Sequence, residues 1–151
     1  MRRVTHDFRV DLPLDAAWQK LSDLTLAKHY VPSVTDVEFR TEATHGEGCT
    51  RRVHLNRKPG WMDETVASWR EGQGFVLRLH RHDEPIVPLF RSHLFHYDLA
   101  PDGEQTVVTL EMSYEPKGLV SGWISGVALE PAFRRELAAI AANMKALYEA
   151  G

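Results

Sequence analysis

The chain has almost no cysteine. Cys49 is the single one among 151 residues, which excludes an intramolecular disulfide framework and fits a reducing, cytoplasmic setting. Its expected role is that of a small side chain on a strand rather than a nucleophile. An excess of charge of one sign is also missing. The 18 basic and 21 acidic residues are scattered to a net charge of −3, with no basic block, so the electrostatic footprint of a nucleic-acid binder is lacking. No stretch approaches the ~18 consecutive apolar residues of a membrane span, and Met1 to Asp7 carry no apolar signal core. Neither repeats nor low-complexity linkers interrupt the sequence, so one domain over 1–151 is expected. A chain of this length buries roughly 68–70% of the surface its unfolded form exposes, and so needs no disulfide or metal staple.

What the sequence does have is alternation. Val4, His6, Phe8 and Val10 share one parity and Thr5, Asp7 and Arg9 the other, the period-two pattern of a half-buried strand. After Leu12-Pro13, Asp15 is placed to cap a short helix over 16–21, and Ser22 or Asp23 a second one reaching Tyr30, before Pro32. Six further strands follow, over 34–43, 49–57, 61–69, 74–81, 90–99 and 105–115, separated by turn signals such as Gly46-Glu47-Gly48, Pro59-Gly60 and Pro101-Asp102-Gly103. The last third closes with a helix whose Phe133, Leu137, Ile140, Met144 and Leu147 form one apolar stripe. Pro131 is expected in the first turn of a helix starting near Glu130, which leaves 118–126, with Trp123 and Ile124, as a loop or short helix. The order predicts an α+β arrangement with helices on one face of an antiparallel sheet.

This order and a set of short motifs resemble the helix-grip superfamily of START domains, birch-pollen-allergen-like proteins and bacterial polyketide cyclase/dehydrase-like proteins (SRPBCC), the last branch most closely. The residues that carry the resemblance are Asp15-Ala16-Ala17-Trp18 through Ser22-Asp23, Tyr30-Val31-Pro32-Ser33-Val34, and Gly46-Glu47-Gly48 ahead of Arg51. Glu64, Val66 and Trp69, then Pro101-Asp102-Gly103, Thr106-Val107-Val108 and Tyr114-Glu115-Pro116, complete them. The resemblance implies a seven-stranded curved antiparallel sheet, two short helices after strand one, and a long C-terminal helix packed over an internal cavity. It also places Trp123 near the entrance of that cavity. Tyr30 stands where the family commonly has Trp, which would present a hydroxyl to the pocket.

Sheet parity nominates the polar side chains of the interior, because alternate residues share a face. Arg51, Glu64, Arg91 and His93 fall on the apolar parities, with Tyr97 and Tyr114, and are expected to enter the interior among Phe39, Phe75, Leu77, Leu79 and the last helix. An unpaired buried charge costs several kcal/mol, so Glu64 is expected to pair with Arg51 or Arg91. Three readings stay open. Tyr30, Arg51, Arg91, Tyr97, Tyr114, Trp123 and Phe133 would line a site for a hydrophobic small molecule such as a lipid, isoprenoid or polyketide-like ligand. Alternatively, Glu64 or His93 would act as acid or base in a cyclisation or dehydration, with Arg51 or Arg91 holding the developing enolate oxygen. The third is a stress or partner-binding module with a filled interior. His80 and His82, two apart beside Asp83 and Glu84, lack the further separated ligand a metal site needs, so neither metal nor cofactor is expected.

Overall fold

The computed structural model describes residues 1–150. A strand β1 (Arg2–Val10) leads into α1 (Leu14–Leu21), a 3-10 turn (Leu24–Leu26) and α2 (Ala27–Tyr30). The meander follows as β2 (Val34–Phe39), β3 (Thr50–Leu55), β4 (Trp61–Arg70), β5 (Gly74–Arg81), a two-residue β6 (Glu84–Pro85), β7 (Phe90–Asp102) and β8 (Gln105–Pro116). The chain ends in α3 (Leu119–Ile124), a π turn (Ser125–Leu129) and α4 (Glu130–Glu149). All strand pairs are antiparallel, in the order β1-β8-β7-β5-β4-β3-β2 with β6 added to β5. The seven long strands are those read from alternation. β2 stops at Phe39 rather than reaching Ala43, and β6 is an addition too short to carry a periodic signal.

Local chemistry explains most boundaries. Asp23 caps the 3-10 turn, its carboxylate accepting from the Thr25 amide at 3.0 Å. Asp15 instead falls inside the first turn of α1, which starts two residues earlier than expected. Pro131 does sit in the first turn of α4, where its missing N–H breaks no helical bond. The preceding segment is helical too, and the five-residue π turn joins it to α4.

β1 pairs along its whole length with β8, bringing the N-terminal strand beside the last one. α4 packs against β1, α2 and β8, burying Leu137, Ile140 and Met144 of the predicted stripe together with Ala141 and Tyr148. On β8 the expected inward set of Thr106, Val108, Leu110, Met112 and Tyr114 is fully buried. No helix among the described residues is long and apolar enough to cross a membrane.

Candidate functional site

Between the sheet and α4 lies a cavity of about 230 Å³. Its wall is mostly apolar, with Met62, Leu79, Phe95 and Met112 from the strands and Phe133 and Ile140 from the helix. Into this wall are set Arg51, Glu64, His93, Tyr97, Arg57 and Glu136. Arg57 and Glu136 also border a surface depression with Pro32, Ser33 and Arg135, which puts the cavity's mouth at that end.

Arg51 and Glu64 are direct cross-strand partners in the β3–β4 register, and strand pleating points both inward. The Arg51 Nε donates to Glu64 Oε1 at 2.8 Å and a terminal nitrogen reaches the same oxygen at 2.7 Å. The other terminal nitrogen donates to the Leu24 carbonyl. Burial opposes the arginine's charge, but Glu64, with Tyr30 and Tyr97 adding to it, outweighs that cost and holds the guanidinium above its ordinary pKa. The pairing that the sequence required for Glu64 is therefore made with Arg51.

His93 is different. Its side chain is 2% exposed, and neither ring nitrogen has a hydrogen-bond partner among the described residues. Aromatic contact holds the ring instead: Phe90 meets it edge-on at 5.2 Å and Phe133 lies 5.7 Å away. Burial lowers its pKa to about 4, so at neutral pH the imidazole is uncharged, with one N–H and one lone pair to offer. An unsatisfied buried polar group is costly, and this one borders an apolar cavity.

Tyr97 and Phe133 also line the cavity. The remaining predicted residues do not. Arg91 is exposed and donates to the Lys117 carbonyl at 3.2 Å. A bulge between Phe90 and Ser92 is the reason: the extra residue flips the parity of β7, so Phe90 turns inward and Arg91 outward. Tyr114 is buried but spent, its hydroxyl donating to Glu130 while its ring stacks on Phe90 at 4.4 Å. Glu130 Oε2 also accepts from Arg2 Nε at 2.6 Å. Tyr30 is buried but not part of the cavity wall, 6.4 Å from Tyr97 in an edge-on contact, with an unpartnered hydroxyl. Trp123 is 69% exposed and, with Leu119, Val120 and Val127, faces solvent rather than the cavity mouth.

Sequence reasoning missed Glu136 and Arg57. Glu136 stands three residues after Phe133 and four before Ile140, a spacing that puts it at the margin of the apolar stripe; its charge disguised this. Burial raises its pKa, with Arg57 opposing, and the two side chains approach to 3.8 Å. Arg57 shares the parity of Arg51 in the strand expected over 49–57, but β3 ends at Leu55 and Arg57 sits in the β3–β4 loop. Away from the cavity, the His80 ring is committed to Thr65 at 2.8 Å and to the His82 carbonyl at 2.6 Å. Trp61 covers the sheet under the Arg52 and Arg81 guanidinium groups.

The whole arrangement is that of a known fold. Major latex-like protein 151 from Panax ginseng superposes with a TM-score of 0.75 over 97% of each chain at 12% identity. A START superfamily protein from Mycobacterium smegmatis gives 0.74, again over 97% of each, at 14% identity. Truncated norcoclaurine synthase from Thalictrum flavum gives 0.71 over 97% of this chain and 92% of its own, at 16% identity. At such identities the likeness concerns the fold, and no curated protein matches the sequence. The family model described as polyketide cyclase/dehydrase and lipid transport matches residues 1–149, and the chain belongs to that family.

Proposed function

We propose that this protein binds a small hydrophobic molecule in the cavity between the sheet and α4. The observation that carries the reading is His93: a buried imidazole with two unpartnered nitrogens on the wall of an otherwise apolar cavity. Small-molecule sites have this anatomy, with a hydrophobic lining and a few convergent polar groups that fix orientation. A volume of about 230 Å³ falls below the ~300 Å³ at which drug-sized pockets begin, so a compact ring system or short chain suits it better than a complete lipid. The fold fits this reading, and the family's description joins cyclase and dehydrase chemistry with lipid transport.

A general-base role for His93 or Glu64 remains the second reading, favoured by the same unprotonated ring. Enolate chemistry also asks for a donor at the developing oxyanion. Each of Arg51's three nitrogens already faces an acceptor, and Arg91 is outside the cavity. This arrangement favours binding over catalysis.

The test is a thermal melt in the presence of naphthalene, on the wild-type chain and on Ala132→Phe, which adds a ring to a cavity-lining position of α4. A saturable rise in Tm for wild type and none for the filled variant is expected. A Tm indifferent to naphthalene in both would overturn the proposal.

A further inference from the structure

We propose that the cavity selects a neutral apolar molecule bearing one hydrogen-bonding oxygen, a hydroxyl or carbonyl held by His93, and rejects carboxylates and amines. The inference rests on the reading of the cavity as a binding site, and it follows from how the charges there are already paired.

Four charged side chains line the cavity, two of each sign. Arg51 is bound by Glu64 on one side and by the Leu24 carbonyl on the other. Arg57 lies opposite Glu136, across the mouth. An entering carboxylate would thus find Arg51 already bound and Arg57 already facing Glu136, and would meet two carboxylates in place. Leaving water for such a site without a partner is costly for any anion. An ammonium group faces the mirror image of the same problem, since both carboxylates already oppose guanidinium groups.

His93 supplies what a neutral ligand needs. The ring offers one donor and one acceptor, so a carbonyl can accept from its N–H and a hydroxyl can donate to its bare nitrogen. Either bond satisfies a group that the protein leaves unpaired at 2% exposure. Phe95 and Phe133 on the same wall accommodate the apolar body beside it.

The experiment is calorimetric titration at neutral pH with four probes on one scaffold: naphthalene, naphthalenemethanol, naphthoate and naphthalenemethylamine. The alcohol should bind about fivefold or more tighter than naphthalene, as one added hydrogen bond allows. It should bind at least about tenfold tighter than the acid or the amine, since either ion would be buried unpaired. His93→Phe should abolish the alcohol's advantage over naphthalene while naphthalene still binds, which also shows the variant to be folded; His93→Leu serves the same comparison should the larger ring unfold the chain. Naphthoate or the amine binding as tightly as the alcohol would overturn the inference and leave the binding reading standing. So would an alcohol advantage that survives in the variant. Failure of both naphthalene and the alcohol to bind wild type would instead remove the binding reading, and this inference with it.

Discussion

Arg51 and Glu64 meet through a single carboxylate oxygen: both guanidinium contacts fall on Oε1, at 2.8 and 2.7 Å. The pair is almost wholly removed from water, with side chains 2% and 9% exposed. Neutralising one member leaves the other buried and uncompensated. Arg51→Met is therefore expected to destabilise the fold by about 3–5 kcal/mol. The double variant Arg51→Met, Glu64→Leu should recover most of that loss, because two apolar side chains replace two desolvated charges. Chemical denaturation of the two singles and the double, read as a mutant cycle, checks this. Additive losses would show that the pair is not a coupled unit.

How much of this was legible follows from where each residue stands. The inward placement of Glu64 and of Arg51, one of its two expected partners, was readable because β3 and β4 are regular at that point, so parity places both side chains on the inner face. Arg91 was misplaced by the same logic because it is itself the extra residue of a bulge between Phe90 and Ser92, and no feature of Phe90-Arg91-Ser92 announces it. Glu136 could have been found from its i+3 and i+4 spacing to Phe133 and Ile140, had a charged residue at a stripe's margin been allowed inward. Trp123 was out of reach. Between Gly122 and Gly126 the sequence carries no strong periodicity, so which side of α3 faces the body is decided by packing of Gly122 and Ser125 rather than by pattern.

His93 gives a pH prediction with a definite sign. Burial lowers its pKa from 6.5 to about 4, so between those values the unfolded chain binds a proton that the folded chain refuses. Its contribution to stability is complete above about pH 6.5 and declines as pH falls towards about 4, for a total of about 3 kcal/mol. Subtracting the stability profile of His93→Phe from that of the wild type isolates this one group from the other titrating residues. A flat difference between pH 6.5 and 4 would mean that the imidazole is not held neutral.

Tyr114 separates structural from ligand-facing roles. Its hydroxyl donates to Glu130, which also receives Arg2, tying β1, β8 and the start of α4 together. Tyr114→Phe should cost about 1–3 kcal/mol by leaving a buried carboxylate oxygen short of a donor, and should leave the affinity for naphthalene unchanged, since Tyr114 does not line the cavity. Trp123→Ala is the companion case: at 69% exposure it should alter stability by no more than about 0.5 kcal/mol and leave affinity unaltered. A drop in affinity in either variant would return these residues to the site.

Gly74 is the position where the backbone leaves no room for a side chain. It opens β5, opposite Asp98 on β7, and a Cβ there would overlap the carbonyl oxygen of Tyr97. That obstacle is backbone, fixed by the β5–β7 ladder, so it cannot swing aside as a side-chain tip would. Gly74→Ala should therefore cost at least about 2 kcal/mol and push the Tyr97 main chain away from β5. Tyr97 packs on Phe75, with ring centroids 5.1 Å apart, and on Phe95 at 4.7 Å, and it lines the cavity. The strain should thus reach the ligand site, and the variant should lose naphthalene affinity even under conditions where it remains folded. Circular dichroism together with calorimetric titration distinguishes the cases. A stable variant with wild-type affinity would show that β5 and β7 can separate here without moving the cavity wall.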